Sequence, residues 1–214
     1  MIKISPSVLA CDLTRLGDEV TDISRCGADM VHIDVMDGDF VTNLSFGLPV
    51  IESLRKKSDM VFDVHLMINK PERYAERFIK AGADILTFHY EACENPGELL
   101  DKIRALGARS AISVKPKTEV KEIFDLLPKC DMVLIMTVEP GYGGQSLIPE
   151  TLDKVKELKT EIERRGLAVD IQVDGGITAE NAPRAIASGA NILVAGSSVF
   201  KAQDRKSAID SLRG

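Results

Sequence analysis

Eight short β-rich runs, a Gly-Ala turn that recurs ahead of several of them, and a full apolar complement with no linker predict one fold. It is an α/β fold, a single (β/α)₈ TIM barrel over residues 1–214. That fold usually takes ~250 residues, so a chain of 214 makes a compact example with little left for insertions. A doubly wound open sheet uses the same β-α units and is the structural alternative, because periodicity does not report closure. With 44% hydrophobic and 28% charged residues the chain has the composition of an ordinary globular protein. Disordered, fibrous and disulfide-stapled classes are thereby excluded.

The elements follow in order. The first run spans 2–8, and Leu13, Leu16, Val20 and Ile23 then recur at helical spacing. Cys26-Gly27-Ala28-Asp29 turns the chain into the second run, 30–36, and the third is 60–67. Pro71 suits the first turn of a helix through Arg73 to Ala81. Ala81-Gly82-Ala83-Asp84 repeats the turn before 85–90, and Gly107-Ala108-Arg109 repeats it before 110–115. The sixth run is 132–138, followed by a helical face of Leu152, Val155, Leu158 and Ile162. The seventh run is 169–174, and Gly189-Ala190-Asn191 leads into the eighth, 192–197. Glycine fits the left-handed position that ends a helix, and an unbroken apolar run fits a strand buried on both faces.

Lys and Arg number 27 against 33 Asp and Glu, a formal net charge of −6. A protein this acidic lacks the basic face that sequence-independent nucleic-acid binding requires. No apolar run approaches the ~18–20 residues of a membrane span. Met1 to Ser7 lacks the pattern of a secretory signal. Cys11, Cys26, Cys93 and Cys130 show no C-x-x-C spacing, so buried, inert thiols in a reducing cytoplasm are expected. A cytoplasmic enzyme acting on a small molecule is the leading expectation.

In such a barrel, chemistry sits at the carboxyl ends of the strands. Here those ends are polar. His32, Asp34 and Met36 share one face of the second strand, and Asp63, His65 and Met67 share one face of the third. The seventh ends Val173-Asp174-Gly175-Gly176. Any one of these residues alone reads as a hydrogen-bonded core group. Several buried carboxylates together need a compensating cation or a shared proton. Two imidazoles and two carboxylates converging on one centre suit one divalent metal ion, Zn²⁺, Fe²⁺, Co²⁺ or Mn²⁺. His89 reads as a supporting or structural group.

Three glycine-bearing loops follow consecutive strands: Pro140-Gly141-Tyr142-Gly143-Gly144-Gln145, Gly175-Gly176 and Gly196-Ser197-Ser198. Backbone N–H groups at such loops can cradle a phosphate, and the loops after strands seven and eight are where these barrels often hold one. No G-x-x-x-x-G-K-[ST] is present, so P-loop nucleotide hydrolysis has no support. Lys115, at the fifth strand end, is the one residue for a rival Schiff-base chemistry. Met36, Met67 and Met136 also lie near strand ends.

These residues together resemble the ribulose-phosphate 3-epimerase family. The resemblance rests on His32-Ile33-Asp34-Val35-Met36-Asp37-Gly38, Asp63-Val64-His65-Leu66-Met67, Met136 through Gln145, and Val173-Asp174-Gly175-Gly176-Ile177. It runs from Ser5-Pro6-Ser7 to Val199-Phe200, nearly the whole chain. It implies a barrel of the ribulose-phosphate-binding type that interconverts D-ribulose 5-phosphate and D-xylulose 5-phosphate.

Carried onto this chain, the resemblance makes His32, Asp34, His65 and Asp174 the metal ligands, with Asp34 and Asp174 the catalytic acid/base pair. Two-aspartate proton transfer would pass through a metal-stabilised enediolate. Ser7 and His65 would contact the sugar. Gly141, Tyr142, Gly143, Gly144, Gly175, Gly176, Gly196 and Ser197 would surround the substrate. The three methionines match the family's apolar cushion. Thr42 stands where the family commonly has Pro, and Tyr142 where it frequently has Phe. Allulose-6-phosphate 3-epimerases are similar and share the metal set, so they are the alternative. A Schiff-base barrel aldolase and a non-catalytic sugar-phosphate sensor rank below. A homo-oligomer, dimer or hexamer, is expected, with no nucleic-acid or membrane partner.

Overall fold

The structure, a computed structural model, describes residues 1–214. Its eight strands are β1 (Lys3–Pro6), β2 (Met30–Met36), β3 (Val61–Met67), β4 (Ile85–His89), β5 (Arg109–Val114), β6 (Met132–Met136), β7 (Asp170–Asp174) and β8 (Ile192–Ala195). All pair in parallel in one sheet of order β1-β8-β7-β6-β5-β4-β3-β2. A parallel bridge between Ser7 and His32 brings the ends of the sheet together, which makes a barrel and excludes the open sheet. Helices α1 (Leu16–Arg25), α2 (Leu48–Arg55), α3 (Ala75–Ala81), α4 (Pro96–Ala105), α5 (Thr151–Arg165) and α6 (Ala182–Ala187) alternate with the strands. Between β5 and β6 the connection Val120–Lys129 is a 3₁₀ helix, and α7 (Ser197–Phe200) and α8 (Arg205–Ser211) follow β8.

The strands are buried on both faces, and the two faces differ in chemistry. Outward-facing Ile33, Val35, Phe62, Val64, Leu86, Phe88, Val133 and Ile135 join the main core with Val20, Ile23, Leu100, Val155 and Leu158 of the helices. Burying each large apolar side chain contributes ~1.5–3 kcal/mol. Inside the barrel, Met30, Ile85, Ala111, Met132 and Ile192 form a separate apolar plug. Above that plug the interior turns polar: Ser5, His32, Asp63, Thr87, Ser113 and Gln172 are all fully buried. The polarity therefore rises toward the carboxyl ends of the strands.

The opposite end is built for stability. An Asp or Asn just ahead of four of the strands ties that strand to the one before it. Asp29 Oδ2 accepts from the Ile4 N–H at 2.7 Å, Asp84 Oδ2 from Phe62 at 2.7 Å, and Asn191 Oδ1 from Ile171 at 2.7 Å. Asp131 does the same for Ser110 at 2.8 Å, ahead of β6. Arginines cover three of them: Arg213 on Asp29 at 2.9 Å, Arg55 on Asp84 at 3.0 Å and Arg104 on Asp131 at 3.2 Å. The preceding Gly27, Gly82 and Gly189 have φ of 90°, 122° and 116°, the left-handed region glycine takes without strain.

Several expectations need correction. Leu13 is 52% exposed, because Asp12 accepts from the Thr14 N–H and starts a 3₁₀ turn, Leu13–Arg15, ahead of α1. Pro71 opens a 3₁₀ turn, Pro71–Arg73, and the α-helix begins only at Ala75. The first and last strands are shorter than the runs 2–8 and 192–197, since Ser7 caps a 3₁₀ turn and Ser197 begins α7. All four cysteines are free, but only Cys130 is buried; the other three are half-buried.

Candidate active site

Register decides which polar residues meet. His32 lies opposite Asp63, and Asp34 opposite His65, so the four interior groups of β2 and β3 form two layers. In the upper layer Asp34 Oδ1 is 3.3 Å from both His32 Nε2 and His65 Nδ1. Asp174, at the end of β7, places Oδ2 3.8 Å from each of the same two nitrogens. One potential ligand atom from each of His32, Asp34, His65 and Asp174 lies within 4.8 Å of all the others. Asp63 stays in the lower layer, behind His32.

Each side chain of the cluster is braced from behind. Asp63 Oδ2 faces His32 Nδ1 at 2.7 Å and also accepts from Ser5 Oγ at 3.0 Å and Gln172 Nε2 at 2.6 Å. Ser7 Oγ donates to Asp34 Oδ2 at 2.6 Å. His65 Nε2 faces His89 Nε2 at 2.9 Å. The Asp174 backbone is pinned by Thr137, whose hydroxyl contacts the carbonyls of Asp174 at 2.8 Å and Gly175 at 2.6 Å.

The electrostatics split the two aspartates. Burial opposes the charge on Asp34, but the nearby charge of His32 and the close approach of the His32 and His65 rings outweigh it and hold this carboxyl far below the usual range. Burial, reinforced by the Asp34 charge, pushes Asp174 up to about 6. Two adjacent carboxyls with divergent acidities are the arrangement of an acid and a base. Burial disfavours a charge on His32 too, yet Asp63 and Asp34 overcome it and raise this imidazole well above its ordinary value.

The donor set fits a divalent cation. His32 Nε2 is a buried nitrogen without a hydrogen-bond partner, directed at two carboxylates. Two imidazoles and two carboxylates are ligands for a borderline metal, and Asp63 supplies the carboxylate behind a ligating histidine that such sites use.

Above the cluster opens a cavity of about 440 Å³. Ser7, Asp34, Asp174, Gly141 to Gly144, Gly175, Gly176, Gly196 and Ser197 all line it, as do Met36, Met67 and Met136. His65 does not: its ring is fully buried and faces the other members of the cluster rather than the cavity. The two glycines after β7 pack too closely against the loop after β6 to carry side chains. A Cβ on Gly176 (φ 68°) would lie 2.4 Å from the Leu147 nitrogen, and one on Gly175 (φ 122°) 2.9 Å from the Val138 nitrogen. Gln145 Nε2 closes the 139–145 loop by donating to the carbonyls of Glu139 at 2.7 Å and Tyr142 at 2.9 Å.

Lys115 stands apart from this cavity. Its ammonium lies 3.7 Å from the centre of the Phe40 ring, and it is not among the lining residues. Burial pushes His89 down to about 4, so this ring is neutral. Sequence reasoning passed over Lys201, which also lines the cavity. Its one signal is a charge directly after the glycine-led turn at Gly196. It also passed over the bracing by Ser5, Gln172 and Thr137, whose partners lie far away in sequence.

A parallel barrel with ionisable groups gathered at the carboxyl ends of its strands, beneath a glycine-walled cavity, defines a (β/α)₈-barrel enzyme of small-molecule metabolism. Comparison narrows that class. The family model described as the ribulose-phosphate 3 epimerase family matches residues 3–200. Ribulose-phosphate 3-epimerase of Bacillus subtilis (strain 168) is 46% identical over 100% of this chain and 99% of its own. That of Synechocystis sp. (strain ATCC 27184 / PCC 6803 / Kazusa) is 43% identical over 99% of this chain and 93% of its own. The chain belongs to the ribulose-phosphate 3-epimerase family. Among solved structures, 3-keto-L-gulonate-6-phosphate decarboxylase from Vibrio cholerae O1 biovar El Tor str. N16961 superposes with a TM-score of 0.73 over 100% of this chain and 96% of that one. At 14% identity it shares the fold alone. No helix is long and apolar enough to cross a membrane.

Proposed function

We propose that this chain is a single-domain, metal-dependent epimerase that inverts C3 of a ketose phosphate, D-ribulose 5-phosphate to D-xylulose 5-phosphate. The observation that carries the reading is the pairing of Asp34 and Asp174 in one cluster on the floor of the cavity. Inverting C3 takes a proton from one face of the carbon and returns one to the other. Asp34, held ionised, suits the base; Asp174, held partly protonated, suits the acid, and the roles exchange for the reverse reaction. Ser7 keeps Asp34 oriented through its hydroxyl. Acid–base transfer supplies only ~3–5 kcal/mol of barrier lowering. His32, Asp34, His65 and Asp174 would hold a zinc, iron(II), manganese or cobalt ion, which would supply positive charge against the negative charge that develops on the sugar oxygens. The glycine loops bind the phosphate through backbone N–H groups, aided by Lys201, and fix the remote end of the sugar.

The test is C3–H exchange in deuterium oxide with ribulose 5-phosphate and with allulose 6-phosphate, before and after a chelator. Exchange with the pentose, lost on chelation and restored by metal, is expected. Absence of exchange with either sugar overturns the reading, and preference for the hexulose reassigns the substrate. Assembly into a dimer or hexamer and a cytoplasmic setting, which suits four free thiols, belong to the same proposal. Sedimentation equilibrium reads the assembly.

A further inference from the structure

His32 and His65 present one nitrogen each to the cluster, but their far sides differ. His32 is backed directly by the Asp63 carboxylate at 2.7 Å. His65 is backed by a second imidazole, since its Nε2 lies 2.9 Å from His89 Nε2. Two ring nitrogens at that distance share one proton. Which ring carries it decides whether His65 Nδ1, 3.3 Å from Asp34, is a bare lone pair or an N–H.

The answer lies one step further out. His89 Nδ1 is 3.4 Å from Glu91 Oε2. Glu91 acts as an acceptor, its Oε1 taking the Lys115 N–H at 2.8 Å and the Thr118 hydroxyl. An acceptor-only carboxylate requires the proton on His89 Nδ1. His89 Nε2 is then the acceptor, His65 Nε2 carries the proton, and His65 Nδ1 is left unprotonated toward the cluster. The reversed chain would set the His89 lone pair against a carboxylate oxygen.

We propose that Glu91 and His89 are positioning residues, a hydrogen-bonded chain that presents His65 Nδ1 to a metal ion. The surroundings hold the chain in place. The Phe40 ring packs on His89 with centroids 4.8 Å apart, and the Lys115 ammonium lies over Phe40 at 3.7 Å. Lys154 in turn donates to the carbonyls of Lys115, Pro116 and Thr118, fixing the loop that addresses Glu91. Lys115 thus serves the site through Phe40 and its own N–H, without entering the cavity.

This inference rests on the metal reading of the cluster, and Glu91→Gln separates the two. The glutamine oxygen still accepts from Lys115 and Thr118, which turns an N–H toward His89 Nδ1 and reverses the chain. Metal affinity, read by chelator competition with zinc and cobalt, is expected to fall by roughly 10–100-fold. Circular dichroism and the thermal midpoint are expected to change little, since Glu91 lies at the edge of the fold. Unchanged affinity in Glu91→Gln, where His32→Ala abolishes metal binding, overturns the chain and leaves the metal site standing. Unchanged affinity in His32→Ala overturns the metal reading and the chain with it. If Glu91→Gln does not fold, imidazole ¹⁵N shifts of the zinc-loaded wild type decide. A proton on His89 Nδ1 supports the chain, and one on Nε2 overturns it.

Discussion

Asp63 Oδ2 lies 2.7 Å from His32 Nδ1, with both side chains fully buried in the barrel. The contact leaves His32 Nε2 as the nitrogen that faces Asp34 and Asp174. Asp63 therefore acts on the cluster without belonging to it. Asp63→Asn keeps the shape but replaces an acceptor-only group with one that both donates and accepts. Metal affinity is expected to drop by about 10–100-fold, and stability by ~1–3 kcal/mol from the disturbed contacts to Ser5 and Gln172. Chelator competition and urea titration measure the two effects. Wild-type metal affinity in the variant would remove Asp63 from any role at the site.

Asp34→Asn and Asp174→Asn each remove one carboxyl of the proposed acid/base pair while leaving the glycine loops untouched. Turnover is expected to fall by at least ~10²–10⁴-fold in either variant. Binding of a non-reactive sugar phosphate, followed calorimetrically, should stay close to wild type. Near-normal epimerisation by either protein contradicts the acid/base pair.

Gly176 tests whether loop geometry, rather than charge alone, makes the proposed phosphate end of the cavity. Alanine there meets the Leu147 nitrogen at 2.4 Å and the Gln145 carbonyl oxygen at 2.7 Å, on a backbone with φ of 68°. Left-handed strain and overpacking each cost about 1–3 kcal/mol. Gly176→Ala should lose about 2–6 kcal/mol of stability and raise KM more than it lowers kcat. A variant with wild-type KM and midpoint means that the loops do not need this close approach.

The barrel's two ends were unequally legible in the sequence. Strand runs such as 30–36 and 85–90 stand out because parallel strands buried on both faces read as unbroken apolar stretches, and β2 and β4 fall on them. The Gly-Ala turns mark the lower rim, yet the reason for the following Asp is invisible without its partner strand. Alternation along β2 and β3 flags His32, Asp34, Asp63 and His65 equally. Only the register, which sets Asp63 beside His32 and one layer down, separates the carboxylate that braces from the one that faces the cavity. Leu13 misled because local capping by Asp12 overrides helical spacing. The setting of Lys115 at the fifth strand end left a rival Schiff-base reading open because its contact with Phe40 crosses from one loop to another.

That division of labour predicts a substitution that affects stability alone. Asp84 accepts the Phe62 N–H at 2.7 Å and pairs with Arg55 at 3.0 Å, at the end of the barrel remote from the cluster. Asp84→Ala strands a backbone donor and an arginine, at a cost of ~1.5–3 kcal/mol. The denaturation midpoint should fall while kcat/KM per folded molecule is unchanged. A loss of kcat/KM at full folding would mean that the lower rim feeds the chemistry.

His89 gives the stability a definite dependence on pH. Burial, opposed by Glu91 and helped by the charge on Lys115, lowers it from 6.5 to about 4. Below pH 6.5 an unfolded chain takes up a proton on this residue, whereas the folded one does not until about pH 4. The unfolded state binds more protons in that window, so His89 makes the fold less stable as the pH falls from 6.5 toward 4. The full separation is worth about 3 kcal/mol. Asp174, raised to about 6, works the other way in metal-free protein, favouring the fold on the acid side. Comparing wild type with His89→Gln cancels that contribution. Urea midpoints measured between pH 7 and pH 4.5 should show the wild type losing ground to the variant as acid is added. Parallel curves would mean that His89 binds protons alike in the folded and unfolded chains.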